Sequence, residues 1–443
     1  MRLNVKPIAP HGFTHEGAPA APINSEQSLR RSVMSCLLWE SEFYEDGEDI
    51  AARIVRLAST LPTSKVSELA IEARERGNLR HVPLLLLSAL AKIGKGDKIV
   101  ADTIERVIQR ADELSELLAV HAKANGVKPG EVKKKIPAQM KKGLARAFTK
   151  FDEYALGKYD RDGAVRLRDV LFMVHAKPKD DEQAALWKRL VANKLTVPDT
   201  WEVQLSGGAD KKETFERLIR EGKLGYLALL RNLRNMAEAG CDPDLVKTAI
   251  VARKSGAQRV LPFRYIAAAR AAPQFEPAID QALCEAIGEL PILPGKTAIL
   301  IDVSGSMDER LSAKSDMKRI DAAAGLGAIW PGDVRMFTFS QQVVEVPPRR
   351  GMAGVDAIVN SQQHGGTYLG QAVQALNAEV PYDRLIVITD EQSHDRVVDP
   401  LHGRAYMINV ASAQRGVGYG KWNHIDGFSE GILRFIHEYE NDR

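Results

Sequence analysis

The sequence predicts a multidomain molecule in two parts, an all-α solenoid-like stretch followed by an α/β domain built on a parallel sheet. Three observations carry this. From about Ser25 to Ile287 apolar residues recur at three- and four-residue spacing, with strand-like alternation nearly absent. After "ELPILPGKT" short apolar runs rich in β-branched residues alternate with helical stretches, the rhythm of a sheet covered by helices on both faces. With 443 residues, 44% hydrophobic and only 6% aromatic, the chain is long enough to bury more than one core.

In chain order, residues 1–24 carry four prolines and read as an extended arm. Residues 25–290 follow as successive amphipathic helices, among them "DIAARIVRLASTL" and "ADTIERVIQRADELSELLAVHA". Breaks fall at "PTSK", "GKGD", "GVKPGE", "GKYDRDGA", "AKPKDD", "LSGGADKK" and "AGCDPD", where Gly, Pro and Asp interrupt the helical pattern. Helices that come in pairs between such breaks suggest an α-solenoid of HEAT type. Pro291 and Pro294 mark a linker. Residues 294–443 then alternate the strands "TAILIDV", "VRMFTF", "RLIVITD" and "AYMINVA" with the helices "RIDAAAGLGAIW", "LGQAVQALNAEV" and "SEGILRFIHEYE".

Composition narrows the function classes. Cys36, Cys241 and Cys284 are too far apart for a zinc motif or a disulfide framework, which fits a reducing, cytoplasmic setting. "MRLNVKPIAPHGF" lacks the apolar centre of a signal peptide, and "VPLLLLSALAKIG" is too short to span a bilayer, so a soluble protein without a membrane partner is expected. The net charge of +3 hides an asymmetry: residues 294–443 hold 15 Lys and Arg against 19 Asp and Glu, whereas residues 126–179 hold 14 against 6. Such a basic block is the usual footprint of a polyanion, although a solvated helix face is the commoner fate of a charge run.

Two groups of residues carry candidate chemistry. Asp302, Ser304 and Ser306 in "AILIDVSGSMDE" stand where a strand stops, the place where open α/β sheets bind ligands. Thr367 in "HGGTYLG" and Asp390 in "VITDEQS" add a hydroxyl and a second acid from two further loops. All are hard oxygen donors, a poor set for zinc and a good partial octahedron for Mg²⁺ or Mn²⁺. An aspartyl-nucleophile phosphatase needs a second aspartate at position 304, and a serine hydrolase needs Gly-x-Ser-x-Gly; neither is present, and neither is a dinucleotide-binding fingerprint. The competing reading has Ser304 and Ser306 only capping the next helix.

In the basic block, Lys141, Arg146 and Lys150 share parts of a helix face, Lys142 is a further RNA-binding candidate, and Phe148 and Phe151 are interleaved, aromatics that amphipathic helices more often use to pack than to stack on RNA. Lys158 and Arg161 lie in a polar turn, Arg166 and Arg168 lead into an apolar helix, and His175 and Lys177 follow in "VHAKP". Phosphate contacts from such residues give salt-sensitive affinity with little base specificity. His175 has the chemistry to stack on RNA or to hydrogen-bond it, or to be a structural histidine.

"DVSGSM", "GGT" and "TD", in this order, resemble the metal-ion-dependent adhesion site of von Willebrand factor A domains. "LLWESEFYEDG", "LPTSKVSELAIEARERGNLRHVPLLLL", "KKGLARAFTKFDEYALGKYDRDGAVRLRDVLFMVHAKP", "LLRNLRNM" and "LPFRYIAAAR" resemble segments of the TROVE domain. Together they resemble the Ro 60 kDa autoantigen family in its bacterial form, along nearly the whole chain. The resemblance implies a ring of HEAT-like helices closed by an α/β, Rossmann-like A domain. It implies RNA partners: small noncoding Y RNA, single-stranded ends of misfolded RNA, and a link through RNA to the exoribonuclease polynucleotide phosphorylase. It further implies a divalent cation at Asp302, Ser304, Ser306, Thr367 and Asp390, open to a protein carboxylate. No catalytic chemistry is expected. The alternative is a metal-dependent assembly or adhesion scaffold for which RNA is not the primary ligand.

Overall fold

The computed structural model describes residues 12–34, 47–128, 135–160, 165–260, 262–290, 292–311, 316–411, 413, 415–427 and 431–441. The chain divides into two compact units, one spanning residues 25–39 and 47–210, the other residues 211–443 with the N-terminal 24 residues.

The first unit is helical: α1 (Ser25–Met34), α2 (Gly47–Ala58), α3 (Thr63–Glu75), α4 (His81–Ile93), α5 (Lys98–Val107), α6 (Asp112–Ala124), α7 (Ala138–Phe148), α8 (Glu153–Tyr159), α9 (Leu167–Val174), α10 (Asp181–Val191) and α11 (Trp201–Ser206). Polar residues in the sequence breaks supply its helix starts. Asp97 accepts the Ile99 N–H at 3.0 Å, Asp152 the Ala155 N–H at 2.8 Å, and Asp180 the Gln183 N–H at 2.8 Å. One contiguous apolar core runs from Leu29 to Leu190, and α4 is buried along most of its length. At Gly143 the axis of α7 closes on α5: a Cβ there would lie 2.7 Å from the Ile104 side chain.

The run "ADTIERVIQRADELSELLAVHA" is interrupted without Gly or Pro. α5 ends at Val107 and α6 begins at Asp112. Groups distant in sequence make the break. Lys150, at the end of α7, donates its ammonium to the Ile108 carbonyl at 2.7 Å and to the Glu105 carbonyl. The buried Glu113 carboxylate accepts the Gln109 and Arg110 N–H groups at 2.8 and 3.1 Å. Arg74 pairs with Glu113 at 2.7 Å. Tertiary partners therefore satisfy the backbone groups that a helix would otherwise pair internally.

The second unit joins α12 (Lys211–Arg220), α13 (Tyr226–Arg231), α14 (Leu233–Glu238), α15 (Pro243–Ala252), α16 (Pro262–Ala271) and α17 (Glu276–Gly288) to the α/β domain. The latter contains β1 (Thr297–Asp302), α18 (Arg319–Ala328), β2 (Val334–Phe339), β3 (Val343–Val346), α19 (Gly351–Val359), α20 (Leu369–Glu379), β4 (Arg384–Thr389), β5 (Ala405–Asn409), β6 (Asn423–Asp426) and α21 (Gly431–Asn441). Gly325 admits α16 against α18, since a Cβ there would meet Ile266 at 2.5 Å. Arg270 of α16 bridges Asp321 of α18 and Asp356 of α19, each at 3.0 Å. Buried Arg384 anchors α21 through Glu440, with Nε donating to Oε1 at 2.7 Å.

Strand order is β3-β2-β1-β4-β5-β6. All neighbours are parallel except β2 and β3, so the sheet is mixed rather than purely parallel as the rhythm predicts. Three residues separate β2 from β3, too few for the crossover that a parallel pair requires. Every residue of β1, β4 and β5 is buried, which is why their apolar runs are continuous. Chain order reverses direction between β1 and β4, and their carboxyl ends open at that switch point.

Candidate metal centre and nucleic-acid interface

Asp302 and Asp390 stand at the carboxyl ends of β1 and β4, both fully buried. A tight turn carries the chain away from Asp302, whose Oδ1 accepts the Ser304 N–H at 2.9 Å. Ser304 and Ser306 bring their hydroxyls within 3.4 Å of each other, and Ser306 donates to Asp390 Oδ2 at 2.6 Å. Thr389 donates to Asp302 Oδ2 at 2.6 Å and accepts the Glu391 N–H at 3.0 Å. Ser304, the N-cap of the 3-10 turn Gly305–Asp308, makes no side-chain cap bond to it, and Ser306 lies inside the turn.

The Thr367 loop is pinned beside this turn. Gly305 donates its N–H to the Gly365 carbonyl at 2.9 Å, and His364 Nδ1 lies 2.6 Å from Asp308 Oδ2. Ser340, at the end of β2, accepts the Gly365 N–H on its hydroxyl at 2.9 Å and the Tyr368 N–H on its carbonyl at 3.1 Å. The N-terminal arm reaches the same loops: Thr14 donates to the Ser393 carbonyl at 2.8 Å, His15 N–H to Gln392 Oε1 at 2.8 Å, and Glu16 pairs with His394 at 3.0 Å. His394 Nδ1 in turn accepts the Thr367 N–H at 3.0 Å. Local spacing reveals the acids and hydroxyls but not Ser340, Thr389 or His394, which reach the site through strand ends and a crossing loop.

Burial, together with the nearby Asp390 charge, raises the Asp302 carboxyl above the usual carboxylate range. A cation among these oxygens relieves that repulsion. Among the described residues no three His, Cys, Asp or Glu side chains are placed to hold a metal ion between them, and the donors here are two carboxylates supplemented by hydroxyls. That chemistry fits Mg²⁺ or Mn²⁺ and not a thiolate or imidazole site.

The basic block separates into paired and unpaired cations. Arg146 pairs with Asp102 at 2.6 Å and Glu105 at 3.3 Å, joining α7 to α5. Lys150 holds the carbonyl end of α5, and partial burial pushes its ammonium down. Lys158 lies 3.3 Å from Glu202. Arg166 donates its N–H to the Asp169 carboxylate at 2.9 Å at the start of α9, and Arg168 reaches Asn193 Oδ1 at 3.4 Å. Lys141, Lys142, His175 and Lys177 have no ion-pair partner among the described residues; Lys142, His175 and Lys177 are exposed. Arg161 lies outside the described residues. Phe148 and Phe151 are buried, with the Phe148 ring edge-on to Trp187 at 5.3 Å. The exposed aromatics of this region are instead Tyr154, on α8, and Phe172, on α9. A helical wheel of "LRDVLFMV" finds Phe172 opposite the Leu and Val stripe.

Comparison with known proteins follows this architecture. The TROVE domain family matches residues 177–282. Telomerase protein component 1 of Mus musculus is 39% identical over 77 residues, 16% of this chain, and the protein of the same name from Rattus norvegicus is 38% identical over 77 residues. The match covers 3% of the length of each of these relatives. The crystal structure of the Deinococcus radiodurans Ro (RSR) protein superposes with a TM-score of 0.63 at 18% identity, covering 95% of this chain and 100% of that one. Residues 177–282 thus resemble a TROVE domain, and the chain shares the fold of that Ro protein, helices followed by an α/β domain.

Proposed function

We propose that this protein binds RNA through the cation-bearing face of α7 and α9, as the RNA-holding component of a ribonucleoprotein and not as an enzyme. One contrast carries the reading. Residues 126–179 hold 14 Lys and Arg against 6 Asp and Glu, and while Arg146 there is matched to carboxylates, Lys141, Lys142, His175 and Lys177 are left without an acid among the described residues. Charge left unmatched on one face is where a polyanion gains most. The TROVE match supports the same ligand class. The finer reading is a cytoplasmic partner of Y RNA and of the single-stranded ends of misfolded RNA, linked through RNA to polynucleotide phosphorylase in RNA quality control. No helix among the described residues is long and apolar enough to cross a membrane. Protein purified from its own cells at low salt should carry nucleic acid, seen as a high ratio of absorbance at 260 to 280 nm that ribonuclease removes. A protein-like ratio at every salt concentration counts against the reading.

The buried carboxylate pair favours a second, separate activity in the α/β domain. Asp302, Ser304, Ser306, Thr367 and Asp390 would hold Mg²⁺ or Mn²⁺, which when bound supplies an electrophilic position for an external carboxylate from a protein partner. The arm and Ser340 hold the Thr367 loop in place for that role. This activity, with protein as primary ligand, is the assembly-scaffold alternative to RNA binding.

A further inference from the structure

α9 carries an aromatic ring on the side away from its buried stripe. Leu167, Val170, Leu171 and Val174 turn one side of the helix into the core. Phe172 points away from them and is 54% exposed. Isolated apolar residues on a surface are ordinary, so exposure alone means little. Its neighbours decide the matter. At about 100° per residue Arg168 lies about 40° around the helix from Phe172 and one turn before it. Among the described residues its guanidinium meets only the neutral Asn193 Oδ1, at 3.4 Å, and so keeps its charge unmatched there. α9 ends at Val174, and its left-handed C-cap His175 and Lys177 beyond it are both exposed. The nearby acid of α9, Asp169, is engaged by the Arg166 N–H at 2.9 Å.

We propose that Phe172 is a stacking platform for an unpaired RNA base, with Arg168 and Lys177 holding the flanking phosphates. The proposal rests on the RNA reading above and makes it specific: the ligand of this face is single-stranded, because a base inside a duplex has no free surface to offer the ring. A cationic groove with an aromatic platform gives sequence-tolerant affinity for single strands, since every base has a π-face.

The test uses the full chain, a short single-stranded RNA carrying 2-aminopurine, and a blunt duplex of the same length. Phe172→Ala should lose about tenfold in affinity for the single strand and restore 2-aminopurine fluorescence in the bound state, while duplex affinity and salt slope stay unchanged. Phe172→Trp should retain wild-type affinity; Phe172→Leu, apolar but without a π-face, should behave like the alanine variant. The proposal is overturned if folded Phe172→Ala binds the single strand as well as wild type, if Phe172→Leu does, or if duplex affinity falls equally. Wild-type protein that binds neither RNA overturns the RNA reading itself, and this proposal with it.

Discussion

At the scale of single residues, the carboxylate pair is the most legible feature of the sequence. Asp302, Ser304 and Ser306 sit within five positions at a strand end, and local geometry alone brings their oxygens together. Thr389 and Ser340 escape such a reading because their roles depend on which strands are neighbours in the sheet. The cations show the converse limit: sequence reveals the charge of Arg146 and Lys150, while their partners lie more than 40 residues away. Asp302→Ala removes a carboxylate from the proposed cation site without touching α7 or α9. Titration calorimetry should then detect no Mg²⁺ binding, with RNA affinity within twofold of wild type. Loss of RNA binding together with the metal, in a folded variant, would place the cation in the RNA site.

Among elements, the strands β1, β2, β4 and β5 are readable from their apolar, β-branched runs, and β3 and β6 are not. β3 is a partly exposed edge, and β6 reads "NHID", so neither has the apolar run that marks β1, β4 and β5. The break between α5 and α6 is likewise invisible, because Lys150 holds the end of α5 and Arg74 holds the capping Glu113 from outside the local sequence. This gives Lys150 a structural duty that can be separated from phosphate binding. Lys150→Met keeps the aliphatic stem and strips the carbonyls of their donor, so unfolding free energy should fall by about 1–3 kcal/mol in chemical denaturation. The salt slope of RNA binding should not change. An unchanged stability with a lower slope would instead make Lys150 a phosphate ligand.

At the level of the whole molecule, the change of texture near residue 290 correctly announces a helical part and an α/β part. It does not announce that the helices from Lys211 onward pack with the sheet domain, as Gly325 and Arg270 make them do. Periodicity reports which face of a helix is buried, not what buries it. Charge is distributed on the same large scale, basic in residues 126–179 and acidic after 294, and this divides the proposed labour between RNA and a cation-bound protein partner. The central claim is that unmatched cations on α7 and just past the end of α9 hold RNA phosphates. Its most direct measurement is the RNA affinity of the Lys142→Glu, Lys177→Glu double variant as a function of salt. The account predicts weaker binding to many sequences and a logarithmic salt slope reduced by about two units, about one for each lost phosphate contact. A folded double variant with wild-type affinity and wild-type slope would contradict it.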